Sequence, residues 1–243
     1  MTRLRALRPA LGAVAAGLVL ACFSHPTVAA AIVSALGETP RRALPLDHLG
    51  ALALHHLILA GTGLVLVAIT GIGLGILATR PGAASVRGGI DTLAAAAQAV
   101  PPVVVVALAL PVLGFGGPPT LLALVLYGIM PTLRGTVGAL EAVPAEAREA
   151  AKALGLTARQ TLTRIELPLA APAIVETLRT ALVLAVATAA VGALAGAATL
   201  STPIVAGLQN QNTVPMLQGA AATAALAFLC DALMVAAAGL LRR

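Results

Sequence analysis

Long apolar runs, separated by short clusters of glycine, proline and charge, divide the chain into six segments: 10–35, 52–79, 90–113, 119–138, 169–197 and 214–241. Each has about the length a helix needs to cross a hydrocarbon layer roughly 30 Å thick. The pattern predicts an all-α polytopic membrane protein with about six transmembrane helices. In 243 residues this leaves no room for a separate soluble domain.

Within the segments, small residues and prolines mark special positions. Gly71 and Gly75 lie four apart in "GTGLVLVAITGIGLG", and Gly192 and Gly196 repeat that spacing; such faces let helix backbones approach closely in lipid. Pro101 and Pro102 are expected to bend or break the third segment in mid-membrane, and Pro131 to break the fourth. The first segment has a basic start, an apolar stretch from Leu11 to Phe23 and small residues near Ala30, as a signal peptide would. It then continues as "AAAIVSAL", long enough to span, so a retained first helix is expected.

The polar interruption at 144–168 has its own pattern. Pro144 suits a first helical turn, and Glu146 and Glu149 place negative charge at the positive end of the helix dipole. Strong helix formers run to Leu154, Gly155 is placed to end the helix in a left-handed conformation, and Leu156 to fold back on its last turn. Thr157 and Gln160 have capping-box spacing for a second helix running to about Glu166, after which Pro168 opens the next membrane segment. The apolar face, Ala147, Ala150, Ala151 and Leu154, is too small to sink deeply into lipid. A helix-turn-helix of this kind is either a solvated linker or a compact knob for a soluble partner.

Composition sharpens the picture. The chain is 59% hydrophobic and 10% charged, with mean hydropathy +1.00. A net charge of +6 does not point to nucleic acid, because the basic residues are scattered and stacking side chains amount to three Phe and one Tyr. With a cytoplasmic N-terminus, Arg3, Arg5, Arg8, Arg80, Arg87, Arg134, Arg148, Lys152, Arg159, Arg164, Arg242 and Arg243 fall inside and only Arg41 and Arg42 outside. That asymmetry predicts N- and C-termini on the cytoplasmic face. Cys22 and Cys230 lie far apart in apolar runs and read as packing residues.

Candidate chemistry is sparse. The single lysine, Lys152, stands in "AAKALG" and not in a phosphate-binding loop, so the chain carries no ATPase motif, and no nucleophilic set or metal-ligand spacing appears. His55 and His56 read as interfacial, at the mouth of a span. Arg179 and Asp231 fall at equal depth, each about 16 Å from the inner end of its segment, and Glu176 sits one turn from Arg179. They are candidates for a structural ion pair, a gate or a proton-coupling site. Gln209, Asn210, Gln211 and Asn212 form a polar outer loop, either a simple cap or a surface that meets another protein.

The run Glu149, Ala150, Ala151, three residues, Gly155, nine residues, Ile165, one residue, Leu167, Pro168 resembles the EAA loop of bacterial ABC importer permeases at every fixed position. The similarity extends through "LVLYGIMPTLRGT" and "LPLAAPAIVETLRTAL", covers about 46–241, and is closest to the glycine betaine and osmoprotectant branch. It implies a five-helix permease core at 46–243 preceded by an N-terminal helix and outer loop at 1–45. It also implies that 144–168 is a coupling loop whose Glu149, Ala150, Ala151 and Gly155 meet a separate cytoplasmic ATPase, which alone binds ATP. The other implied partners are an external solute-binding protein and a second permease copy or homologue, in a bacterial inner membrane. "GALAGAATLST" departs from the family's usual "GAGGLG". Dispersed aromatics leave little for a quaternary-ammonium cage, so recognition of a betaine or choline is expected mainly in the binding protein. Rival readings are an ion-coupled secondary transporter using Arg179 and Asp231, a permease for an unrelated solute such as an amino acid, and a non-transporting scaffold.

Overall fold

The computed structural model describes residues 2–80 and 99–241, with positions 82, 88, 89, 92 and 96 between them. Its elements are α1 (Thr2–Phe23), α2 (Pro26–Ala35), α3 (Leu46–Ala78), α4 (Pro102–Leu113), α5 (Gly117–Glu141), α6 (Ala145–Ala153), α7 (Ala158–Thr161), α8 (Leu167–Val191), α9 (Thr202–Gln209) and α10 (Thr213–Leu241). A π-helical turn, Leu162–Glu166, joins α7 to α8, and a 3-10 turn, Gly192–Ala195, follows α8.

Among the described residues four helices are long and apolar enough to span: Leu46–Ala78, Gly117–Glu141, Ala158–Ala195 and Thr213–Gly239. The bent pair Pro9–Phe23 and Pro26–Ala35 supplies a fifth if counted as one span. The expected segment 90–113 is described as a helix only over Pro102–Leu113; most of its first half lies outside the described residues. Arg87, Arg242 and Arg243 lie outside them too.

The first segment is not one straight helix. It turns by 75° between α1 and α2, because Pro26 holds His25 extended (φ −66°, ψ 135°) and Ser24 Oγ donates back to the Ala21 carbonyl at 2.7 Å. Gln218 of α10, fully buried, fixes the bend: its amide donates to the carbonyls of Ser24 (3.1 Å) and Leu44 (3.0 Å) and accepts from the Leu44 N–H (2.8 Å).

Helix α8 occupies the middle of the bundle, touching α3, α5 and α10, while α1 packs along α10. Their shared core contains Ala60, Leu124, Leu182, Ala185, Val186, Ala189 and Cys230. The α3–α5 seam is closely packed. A methyl on Gly71 would lie 2.7 Å from Thr132 Cβ, and one on Gly75 would lie 2.6 Å from Thr136 Cβ. Both threonines are fully buried. These glycines therefore act as expected from their spacing. Gly192 and Gly196 do not: Gly192 belongs to the 3-10 turn against Thr120, and Gly196 ends it in a left-handed conformation (φ 78°). Gly192 still meets α5 at Thr120, but the α-helix ends before Gly196, so the two glycines do not share one helix face.

Prolines also sort by context. Pro101 and Pro102 break the segment, as expected: helix at residue 99 gives way to a bend at Val100, Pro101 is the N-cap and Pro102 begins α4. Pro131 does not break α5, which runs unbroken to Glu141. It removes one N–H, and contacts with α3 and α8 hold the helix through that gap.

Candidate functional site

Helix α6 ends as its sequence requires. Gly155 adopts φ 72°, its N–H donates to the Lys152 carbonyl (2.9 Å), and the Leu156 N–H reaches the Ala151 carbonyl (3.0 Å). This is the Schellman pattern, which satisfies carbonyls the helix leaves open. The next helix opens with a full capping box: the Gln160 N–H donates to Thr157 Oγ1 (3.3 Å) and the Thr157 N–H to Gln160 Oε1 (2.9 Å). The bend at Leu154–Thr157 is thus closed by backbone and side-chain hydrogen bonds on both sides.

The second helix of this motif is continuous with the membrane span, not a separate piece that stops at Glu166. Pro168 has no N–H to donate one turn back, and the chain winds wider, as the π turn Leu162–Glu166, immediately before it. The helix that leaves the bend and α8 therefore belong to one continuous helical run, Ala158–Ala195.

The small face of α6 divides in two. Ala151 is 2% exposed, with Ala147 half-buried beside it, and both face the chain's own helices. Glu149, Ala150 and Gly155 are exposed, and Leu154 is 79% exposed at the apex. Of the residues expected at an ATPase contact, Ala151 is turned inward, because it is one helical turn from the inward Ala147. Ile165 and Leu167 are half-buried and Pro168 is exposed.

Glu166, at the unspecified position of the motif, is the residue that sequence reasoning passed over. Its carboxylate is 8% exposed and is met by two arginines: Arg148 Nε of α6 donates to Oε1 at 3.0 Å, and Arg80 Nη1, just beyond α3, lies 2.8 Å from Oε2 as an ion pair without hydrogen-bond alignment. Arg148 also donates through Nη2 to the Leu140 carbonyl of α5 at 2.5 Å. The cluster borders a cavity of about 770 Å³ between α6 and the ends of α3 and α5, lined also by Lys152 and Glu141.

Deeper in the bundle, the predicted charge pair is formed. Arg179 of α8 binds Asp231 of α10 through both Nε–Oδ1 (2.5 Å) and Nη2–Oδ2 (2.9 Å), and Glu176 Oε2 lies 3.4 Å from Nη1. His56 turns into the bundle: it is fully buried, its Nε2 pairs with the Val186 carbonyl (2.9 Å) and its Nδ1 accepts from the Leu200 N–H (3.2 Å). An imidazole bonded in this way is the neutral Nε2–H tautomer. His55, its neighbour, instead turns outward and back to the Ala51 carbonyl. At the same end, Asn210 and Asn212 are tied to the strap at 41–42: Arg41 donates to the Asn210 carbonyl, and Asn212 to the Arg42 carbonyl, each at 3.0 Å.

Residues 71–243 match the family described as binding-protein-dependent transport system inner membrane component. The chain belongs to that family. As a transport-system component of this kind, it is similar to the osmoprotectant import permease protein OsmY of Salmonella typhimurium, with 34% identity over 74% of this chain and 76% of the relative. It is also similar to the glycine betaine/carnitine/choline transport system permease protein OpuCD of Bacillus subtilis, with 36% identity over 74% and 78%. In fold this inner membrane component matches a chain of the inward-facing MetNI methionine ABC transporter (TM-score 0.70, 22% identity, 78% of this chain and 94% of that one). The exposed bend thus belongs to a permease subunit of the ABC transporter class and sits at one end of its helical bundle.

Proposed function

We propose that this chain is the transmembrane permease subunit of an ATP-binding-cassette importer that passes a small osmoprotectant such as glycine betaine, choline or carnitine. The observation that carries the reading is the exposed, doubly capped bend, with Glu149, Ala150, Leu154 and Gly155 outward and its second helix running without a break into α8. Small residues admit a groove closely, and Glu149 offers a carboxylate to a basic partner residue. The occupied groove belongs to a separate ATPase subunit, which binds and hydrolyses ATP. The names of the relatives support the solute class.

In this reading the bend and both termini face the cytoplasm of a bacterial cell, in keeping with the distribution of arginine. The opposite end, where residues 38–48 meet α9, receives an external solute-binding protein. A second permease copy or homologue completes the pathway and presents a second bend to a second ATPase. Alternating exposure of the pathway follows from ATP-driven motion of α6–α8 as one arm.

The test is reconstitution in vesicles of anionic phospholipid with the cognate ATPase and binding protein. Uptake of radiolabelled glycine betaine and choline that requires ATP and survives an ionophore supports the proposal. Uptake that collapses with the ion gradient and ignores ATP contradicts it.

A further inference from the structure

Glu166 stands where three elements converge: the end of α3 through Arg80, α6 through Arg148, and the π turn that leads into α8. Nothing in the helical pattern demands an acid here. The neighbouring core at this end, Ala139, Leu140, Val143, Ala170 and Ile174, is apolar and packs α5 against α8 without it. A carboxylate that is nearly buried, yet shared between two arginines, gains its stabilisation from both at once and resists displacement of either. The apolar side of α6 that faces the bundle is only Ala147 and Ala151, too small to fix a helix by packing. A cavity of about 770 Å³ opens on that flank, where the other tie of α6 is the hydrogen bond from Arg148 to the Leu140 carbonyl.

We propose that Glu166 is a positioning residue for energy coupling: with Arg148 and Arg80 it locks α6 to α8 and α3, so that a push on the bend moves the membrane helices instead of rocking α6 into the cavity. The inference rests on the permease reading above. It adds that contact with the ATPase and transmission from it are separable, because Glu166 is buried behind the outward face of the bend and pairs with Arg148 and Arg80.

The experiment uses the reconstituted full complex with radiolabelled glycine betaine as probe, reading co-purification of the ATPase, ATP hydrolysis and solute taken up per ATP. Glu166→Gln keeps the side chain's volume and removes its charge. The expected result is retained co-purification and hydrolysis, with uptake per ATP reduced by about tenfold, and substantial recovery in Glu166→Asp. Arg80→Gln, which alters neither the bend nor α6, is expected to show the same loss in weaker form. An unchanged ratio of uptake to hydrolysis in Glu166→Gln or in Arg80→Gln overturns the proposal. So does failure of both variants to assemble with the ATPase, which assigns the cluster to folding alone. A wild-type complex that shows no ATP-driven uptake overturns the permease reading instead, so the two failures are told apart.

Discussion

Replacing Gly75 by alanine tests the packing on which the transmembrane bundle depends. The new methyl carbon would lie 2.6 Å from Thr136 Cβ, 2.8 Å from its Cγ2 and 3.0 Å from the Leu133 carbonyl oxygen. Carbon pairs are at ease at about 3.5–4.0 Å, so α3 and α5 must part by roughly 1 Å or Thr136 must leave its rotamer. Overpacking of this kind costs about 1–3 kcal/mol. Gly73 provides the matched control: it lies on the same helix, and a methyl there meets nothing within 4 Å. Both substitutions gain the same helix propensity, about 1 kcal/mol, so that contribution cancels between them. Gly75→Ala is therefore expected to be less stable than Gly73→Ala by about 1–3 kcal/mol, or roughly 2–12 °C in midpoint for a chain of this length. Cys230 is buried and Cys22 exposed, so a thiol-reactive fluorophore in a Cys22→Ser background reports unfolding of the core. Equal midpoints for the two variants refute the close-packed α3–α5 seam.

Three further outcomes follow from the geometry. Gly155→Ala meets no neighbour but must hold φ 72°, a cost of about 1–2 kcal/mol; hydrogen exchange at the amides of positions 155 and 156 is expected to quicken while membrane insertion is unchanged. Asp231→Asn deprives Arg179 of its bidentate partner and, discounted for the one-third exposure of the arginine, is expected to lose about 1–3 kcal/mol; the double variant Arg179→Met, Asp231→Met is expected to melt above the Asp231→Asn single by circular dichroism. Gln218→Leu strands the Leu44 N–H and carbonyl, which is expected to cost about 1–3 kcal/mol and to raise exchange along the strap at 36–45.

Much of the site is legible in local sequence. Gly155, the Thr157–Gln160 box and the equal depth of Arg179 and Asp231 are set by short-range rules of helix geometry, and the folded chain obeys them. What resists reading is which face of an apolar helix turns inward. Helix α3 buries Leu49, Leu52, His56, Ala60, Gly63, Val67, Gly71, Gly75 and Ala78 in one stripe while Leu54, Ile58, Val65 and Ile69 stay outside. In lipid both faces are apolar, so close approach and polar partners choose the face, and hydrophobicity does not. His56 illustrates the consequence: its partners, Val186 and Leu200, are distant in sequence and offer only backbone groups, so no motif announces them. Glu166 escaped for a similar reason, since Arg80 and Arg148 converge on it only after folding. The break at Ser24–His25, by contrast, was signalled by Pro26 and masked by the apolar run on either side.

In the proposed function, the outward side of the α6 bend is the surface through which a separate ATPase moves this protein. Single cysteines placed at Leu154, outward, and Ala151, inward, in a chain otherwise free of cysteine, test it by thiol labelling in the assembled complex. Leu154→Cys is expected to label rapidly in the isolated permease, to be protected when the ATPase is bound and to cross-link to it, while Ala151→Cys stays unreactive throughout. Equal labelling of Leu154→Cys with and without the ATPase, and no cross-link, contradicts it.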